Sequence, residues 1–372
     1  MKDLFKLKRI YLLVLAPLSL LLILLARKSI FFAEKIYALR IYKWLSQVVS
    51  LITGIIPISL AEIIVILIPF IIVFLFGRFI YRICKDKKHW LIYLTKAVIN
   101  VLAAGSVLLF MFTLLGGLNY YRYPFSYYSN LEIRDSSLEE LYGLTEFLAG
   151  KASELRSKIP SEDENGVFKL SVSKYKLAKE ADAAMKLLSE RYPVLGGNYG
   201  RPKPIMLSAL MSYTETTGIF IPFTVEANVN VDIPDYTIPF TMLHELAHQR
   251  GFMREDEANF IAYLAGAGSN NIELMYSSTM HALITAGNAL YRQNSEMYNN
   301  IKSMYSEGVR RDLRANNEYW AKYEDTVVST VSNKLNDTYL KANAQADGVK
   351  SYGRMLDLLL ALYRTEMING TD

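Results

Sequence analysis

The chain has 372 residues, 52% of them hydrophobic, and a single cysteine, Cys84. One cysteine excludes an intrachain disulfide, so the sequence is not that of a disulfide-stapled secreted domain. The net charge of +5 is unevenly distributed, because residues 1–120 hold 15 Lys/Arg and 4 Asp/Glu whereas the remainder holds 26 and 32. The basic character thus belongs to the first third, and no nucleic-acid partner is expected for the later part.

Three apolar runs in the first third have the length of membrane-spanning helices. They cover residues 10–26, 58–76 and 90–115, and about 20 apolar residues cross a hydrocarbon core. A signal peptide is the alternative for the first run, but Leu24–Lys28 offers no small-residue cleavage site. Residues 1–118 are therefore predicted to be a membrane region with three transmembrane helices.

The basic residues of the short loops predict how these helices are oriented. Nine Lys/Arg lie in the N-terminal segment and the second loop together, and five lie in the first loop. Because cytoplasmic loops carry the excess, we expect the N-terminus in the cytoplasm and the chain after Gly117 outside the cell membrane. The first loop is itself amphipathic and is expected to lie along the outer interface, in contact with membrane lipid.

Residues 119–372 are predicted to form one mainly α domain with a small β-sheet. Ser137–Ile159 and Ser173–Arg191 have the capping and composition of helices. Gly218–Val231 alternates apolar and polar residues as a half-buried strand does, and Pro222 confines that strand to a sheet edge. The strand either binds an extended peptide by strand addition or is simple sheet structure. Its candidate substrate contacts are Phe220, Glu226 and Asn228.

The stretch Pro239–Ala265 contains the pattern HExxH at His244–His248. Residues four apart lie on one face of an α-helix, so both imidazoles can reach one metal ion. Glu245 stands beside them, where it can handle the proton of a metal-activated water. The alternative is an amphipathic helix without a metal, with Glu245 on its solvent side.

A catalytic zinc ion needs a third protein ligand. In the pattern HExxHxxGxxH the third histidine would fall on Arg254, a cation that cannot ligate. The alternative is a carboxylate from the next helix, where Glu255, Asp256 and Glu257 all qualify by type. Glu257 is favoured, because a small residue follows it and an aromatic residue lies just beyond. Acids also suit the first turn of any helix, which is the alternative for all three.

The chemistry expected of such a site is peptide-bond hydrolysis. Glu245 removes a proton from the metal-activated water, the resulting hydroxide attacks the carbonyl, and Glu245 passes the proton to the leaving amine. His281 is a candidate donor to the oxyanion, although a lone histidine on an apolar helix is more often a packing residue. Two further candidate substrate contacts near the C-terminus are Tyr352 and Arg354.

Several long strings resemble a family of membrane-anchored bacterial proteins of unknown function that is grouped with the zincin metallopeptidases. These strings are GLNYYRYPFS, GIFIPFTVEANVN, the HExxH stretch PFTMLHELAHQRGFMREDEANFIAYLA, and NDTYLKANAQADGVKSYGRMLDLLL. The resemblance to the gluzincin branch implies His244, His248 and a downstream Glu as zinc ligands, with Glu245 catalytic. The chain departs from thermolysin-like enzymes in the short loop before Glu257, and Ile261 stands where they have an Asp supporting the ligands.

The sequence thus predicts a zincin-like domain acting as a zinc metallopeptidase on the outer face of a bacterial membrane, with a peptide or protein of the envelope as substrate. The alternative is a catalytically inactive relative that serves as an envelope sensor or scaffold. An intact Glu245 favours the enzyme, because a structural metal site does not need it. An intramembrane protease is not expected, since the apolar run before His244 is too short to span a bilayer and charged residues flank it closely.

Overall fold

Three apolar helices form the N-terminal third of the computed structural model, which describes residues 8–324, 326–343 and 354–369. They cover Lys8–Lys28, Leu60–Lys85 and Lys87–Leu115. Within them the regular α-helical parts are α1 (Leu15–Lys28), α3 (Leu60–Lys85) and α4 (Trp90–Leu115). Each of the three is long and apolar enough to cross a membrane, which confirms the three predicted apolar helices.

The loop between the first two apolar helices is helical and packs on the rest of the protein. It consists of a π-helical segment, Phe32–Tyr42, followed by α2 (Lys43–Gly54). Glu34 of this loop is fully buried and forms an ion pair with Arg122, with 2.8 Å between Glu34 Oε1 and Arg122 Nη2. One face of the loop therefore packs on the later part of the chain, and the other face is left for any contact with lipid.

The chain after the apolar helices is mainly helical with one small sheet, which confirms the predicted fold class. Ser137 caps α6 in a capping box with Glu140, and Ser173 caps α7, as predicted. The helices are α5 (Phe125–Ser129), α6 (Leu138–Ser157), α7 (Lys174–Arg191), α8 (Ser208–Tyr213), α9 (Ile238–Gln249), α10 (Glu255–Ala267), α11 (Ile272–Gln293), α12 (Ser295–Ser303), α13 (Glu307–Trp320), α14 (Val327–Ala342) and α15 (Met355–Asn369).

The sheet has three strands, of which the middle one is the last in the sequence. The strands are β1 (Lys203–Pro204), β2 (Gly218–Ile221) and β3 (Glu226–Val229), in the order β1-β3-β2. β2 is antiparallel to β3, with Gly218 opposite Val229, and β1 is parallel to β3. The predicted single strand over 218–231 is therefore a hairpin, because the chain turns after Ile221 and Val225 adopts a left-handed φ of 50°.

Two buried carboxylates join the sheet to the start of α3. Glu226 of β3 accepts hydrogen bonds from the backbone N–H groups of Leu60 (3.1 Å) and Ala61 (2.8 Å), and it also binds the ammonium group of Lys203. Glu62 of α3 accepts in return from the N–H groups just before α8. These bonds satisfy backbone donors that a helix start leaves free, and they fix the second apolar helix to the sheet.

The main hydrophobic core surrounds α9. Its buried side chains come from α6, α7, α10, α11 and α15, and every residue of α9 except His244 is buried. A second apolar cluster lies between the apolar helices and the sheet, and it combines the ends of α1 and α4 with Phe220 and Met253. The HExxH helix is thus held from both sides, and its exposed point is the first histidine.

Candidate metal centre

The two histidines of α9 lie on one face of the helix and point to the same place. Their ring centroids are 4.6 Å apart, with the ring planes at 88°. His248 is buried and His244 is partly exposed. The geometry is that expected of residues four apart on a helix.

The third side chain at this place is Glu255, the first residue of α10. Its carboxylate oxygens lie 3.2 Å from His244 Nε2 and 3.6 Å from His248 Nε2. One potential ligand atom from each of the three residues lies within 4.8 Å of the others, and no other such cluster of three His, Cys, Asp or Glu occurs among the described residues. Two imidazoles and one carboxylate are the ligand set of a class of catalytic zinc sites.

Glu257, the predicted third ligand, does not lie at this place. Its buried carboxylate accepts from the backbone N–H of Phe125 at 3.2 Å and forms an ion pair with Arg254 at 3.1 Å. Two residues along a helix rotate a side chain to nearly the opposite face, so Glu255 and Glu257 cannot both face the histidines. The predicted position of Glu257 is therefore wrong, and the apolar neighbours that favoured it belong to the core around α10.

The turn between α9 and α10 explains why Glu255 reaches the histidines. Gly251 adopts a φ of +88°, which ends α9 in the left-handed conformation that glycine tolerates best. The N–H of Phe252 then bonds back to the carbonyl of Ala247 at 3.2 Å. Only five residues separate the two helices, and the first turn of α10 starts beside the last turn of α9.

The same turn sets the tautomer of His248. His248 Nδ1 lies 2.7 Å from the carbonyl oxygen of Phe252, and because a carbonyl only accepts, Nδ1 carries the proton. Nε2, the nitrogen that faces Glu255, is then the atom that can ligate a metal ion once the ion displaces its proton. His244 Nδ1 has no such partner among the described residues, so the support of the two imidazoles is unequal.

The charges of His248 and Glu255 shift each other's pKa. Burial lowers the pKa of His248, but the Glu255 carboxylate offsets burial and raises that pKa to about 9. Burial raises the pKa of Glu255, whereas the imidazoles of His248 and His244 outweigh it and hold the pKa well below its usual range. The site therefore holds a negative charge balanced by imidazolium, an arrangement that a divalent cation can replace.

Glu245 lies next to the histidines and is almost fully buried. Its Oε2 atom has no hydrogen-bond partner among the described residues. Burial raises the pKa of Glu245 to about 7, against the opposing effect of the two imidazoles. A buried carboxylate without a partner costs free energy unless something at the site uses it.

The edge strand β2 runs directly past Glu245. A Cβ atom on Gly218 would lie 2.5 Å from Glu245 Oε1, so any other residue would require neighbouring side chains to shift. Two residues further, the ring of Phe220 lies 6.4 Å from that of His248. The predicted edge position is confirmed for β2, and Phe220 lies beside His248, while its contact with a substrate stays a prediction.

The other two predicted contacts of this segment are placed differently. Glu226 and Asn228 lie in the central strand β3, and both are buried. Glu226 is occupied by Lys203 and the start of α3. Their predicted position on an exposed edge is wrong, because the chain makes two strands where one was expected.

Of the three remaining predicted residues, His281 and Arg354 lie near α9 and α10. His281 stacks on Phe240, with ring centroids 3.7 Å apart, and burial lowers its pKa to about 3, so the imidazole is neutral. Arg354 lies 3.5 Å from Asp256 in the first turn of α10. Tyr352 lies outside the described residues.

Two residues near the site were not predicted. Gly218 carries no signal in the sequence beyond being a glycine at the start of a strand pattern. Burial, with a smaller contribution from the Glu255 carboxylate, raises the pKa of Tyr339 in α14. Its hydroxyl also lies 3.2 Å from that of Tyr120, a contact between residues 219 positions apart that no local pattern indicates.

Comparison with known proteins gives one family. Residues 37–360 match the sequence profile of a family described as "Protein of unknown function (DUF3810)". The match begins in the π-helical loop segment and extends into α15, so it includes the whole site. No curated protein and no solved structure matches the chain.

Proposed function

The chain belongs to the DUF3810 family, and because the family's description names no function, we propose one from the site itself: a membrane-anchored, zinc-dependent metallopeptidase. The observation that carries the proposal is the cluster of His244, His248 and Glu255 with the unpartnered, buried Glu245 beside it. The donor set fits zinc, and the Nε2 of His248, whose Nδ1 is held by the Phe252 carbonyl, fits a ligating role.

In this proposal His244, His248 and Glu255 hold the ion, which would activate a water molecule and polarise the substrate carbonyl when bound. Glu245 accepts the proton of the attacking water and gives it to the leaving amine. Its raised pKa suits both steps, since a group that titrates near neutrality can take up a proton and release it.

The free edge of β2 binds the substrate in this scheme. An extended peptide adds a strand beside Gly218–Ile221 through main-chain hydrogen bonds, which brings its backbone past Glu245. Phe220 contacts a substrate side chain near His248. Candidate donors to the oxyanion are His281, which is neutral, and Tyr339.

The Lys/Arg distribution supports a cytoplasmic N-terminus and a site on the outer face of a bacterial membrane. The substrate in this scheme is a peptide or protein of the envelope. A zincin relationship, which the sequence resemblance implies, belongs to this proposal as well.

The decisive experiment removes the proposed general base and leaves the proposed metal ligands unchanged. Glu245→Gln keeps the size of the side chain and leaves all three proposed ligands in place, so the full-length variant in detergent should keep its zinc content and thermal stability. Peptide hydrolysis should fall by about 10² to 10⁴. Hydrolysis equal to that of the unmodified chain, or a variant that complements a deletion strain fully, would favour the sensor or scaffold instead.

Metal content tests the ligand set. Glu255→Gln and His248→Ala should each lower the zinc content of the full chain well below one per molecule, measured by elemental analysis after dialysis. Glu257→Gln is the matched control, since it changes an acid of the same helical turn that faces Phe125. Zinc lost in Glu257→Gln and kept in Glu255→Gln would refute the assignment.

A further inference from the structure

Four large apolar side chains are exposed on and just before the short helix α8. Met206 is 60% exposed, Leu207 45%, Leu210 61% and Tyr213 49%. These residues are called the α8 patch below. The other face of α8 is polar and buried, with Ser208 and Ser212 in hydrogen bonds to the protein, so the patch is the outward face of a fixed helix.

The α8 patch lies beside the first turn of α3. The Glu62 carboxylate accepts from the backbone N–H groups of Met206 at 3.1 Å and Leu207 at 2.8 Å. The height of the patch relative to a bilayer is therefore the height at which α3 begins.

The composition of α3 sets that height. After Glu62, the next charged residues along the helix are Arg78 and Arg82, whose long side chains reach a membrane interface while their stems stay in apolar surroundings. About 20 helical residues cross a hydrocarbon core of about 30 Å. Counting that length back from Arg82 arrives at Glu62, so the first turn of α3 lies at the opposite hydrocarbon boundary.

The end of α4 gives the same height independently. Its inner cation is Lys96, and about 20 residues further the helix ends before Gly116. A Cβ on Gly116 would lie 3.2 Å from Pro222, in the turn that joins β2 to β3. In that turn Phe223 is 37% exposed. Two helices thus place α8 and the hairpin turn at one boundary.

The helix before α3 also exposes large apolar side chains. α2, which precedes it, exposes Trp44 (66%), Ile52 (62%) and, just after its end, Ile55 (80%). Its opposite face of small residues packs on the domain, where Gly54 approaches the backbone of Gly200. An amphipathic helix that the sequence predicts to lie in the interface thus directly precedes the first turn of α3, beside which the α8 patch lies.

We propose that the α8 patch is a lipid-binding surface, inserted into the interfacial layer of the phospholipid bilayer at the end where α3 begins. Apolar residues on one face and hydrogen-bonded polar residues on the other are what an interfacial helix requires. The domain after the apolar helices then contacts the membrane directly through the residues of this patch. The edge strand β2 lies next to the bilayer surface. The inference does not depend on the peptidase proposal.

Site-directed spin labelling of the full chain tests it, because Cys84 is the one cysteine to remove. In a Cys84→Ser background, Leu210→Cys is labelled and the protein is reconstituted in vesicles of phosphatidylcholine and phosphatidylglycerol. Collision rates with oxygen, which concentrates in lipid, and with a water-soluble nickel chelate are then compared. Val73→Cys, midway along α3 and 71% exposed, is the lipid control, and Met304→Cys, 52% exposed between α12 and α13, is the water control.

The expected oxygen-to-nickel ratio at Leu210 lies between those of the two controls and clearly above that at Met304. Met206→Cys should give the same result, and it serves where the Leu210 variant does not fold. A ratio equal to that of Met304 at both positions would overturn the inference. Loss of both collision rates, with dipolar broadening between labels, would overturn it too, because a second copy of the chain would then cover the patch.

Discussion

The missing side chain of Gly218 lets β2 pass directly against the carboxylate of Glu245. A Cβ atom there would also lie 2.7 Å from Thr241 Cγ2, so it would contact side chains of α9 on two sides. β2 and α9 are held by the sheet and the core respectively. The position of the proposed base therefore depends on a residue that takes no part in the chemistry.

Gly218→Ala should displace Glu245 and lower both stability and peptide hydrolysis. Overpacking of this kind costs about 1–3 kcal/mol, which should appear as a lower midpoint of thermal unfolding. Gly150→Ala is the control, because a Cβ at this position of α6 meets nothing within 4 Å and should stabilise the helix by about 0.5–1 kcal/mol. Equal effects of the two substitutions would contradict the close approach.

At the scale of residues, the sequence predicts the part of the site that one helix contains. His244, Glu245 and His248 follow from a local spacing, and the structure brings them together. The choice among Glu255, Asp256 and Glu257 depends on the angle between two helices. That angle is set by the Gly251 turn, and neither the type nor the neighbours of an acid reveal it.

At the scale of elements, a buried ion pair links the π-helical segment Phe32–Tyr42 to the turn that follows α9. Arg122 binds Glu34, lies 4.2 Å above the ring of Phe252, and donates to the carbonyl of Gly251 at 3.4 Å. Tyr128 also donates to Glu34. The turn that brings Glu255 to the histidines is thus supported from a segment some 200 residues earlier in the chain.

Glu34→Gln should destabilise the protein strongly, because it leaves the buried Arg122 charge without a counter-charge. Removing one partner of a buried pair costs about 3–5 kcal/mol. Glu154→Gln removes an acid from an exposed pair with Lys151 and Lys158, and exposed pairs contribute at most about 1 kcal/mol. Thermal unfolding of both full-length variants, followed by circular dichroism, makes the comparison, and similar midpoints would refute a supporting role for Glu34.

Local signals predicted the elements better than their arrangement. The serine caps of α6 and α7 are local, and both helices begin where they indicate. The alternation over 218–231 was taken as one strand, because the apolar positions continue through the turn, where Val225 is itself buried. Pairing of β1 with β3 joins residues 25 apart in parallel register, Lys203 with Asn228, and no period in the sequence reveals such a pairing.

At the scale of the whole molecule, residues on both sides of the predicted domain boundary at residue 118 contact each other near the site. The hydroxyl of Tyr42 donates to the carbonyl of Gln249 at 3.1 Å, and the side-chain amide of Gln249 donates to Ser50 at 2.8 Å. Both contacts hold the last turn of α9, which carries His248. Composition shows where the apolar helices end, but it does not show that the loop between the first two of them packs on the domain that follows.

A chain of residues 119–372 alone should therefore not fold into a stable domain. It would lack the Glu34 partner of Arg122 and would expose the surface on which α2 packs, so we expect aggregation or the absence of a cooperative unfolding transition. Residues 1–118 expressed together with it supply the missing contacts in trans and should restore a soluble complex in detergent that unfolds cooperatively. The measurement is copurification followed by thermal unfolding. If the fragment 119–372 unfolds cooperatively by itself, at the same midpoint as the full chain, then the loop between the first two apolar helices is not required for the domain to fold.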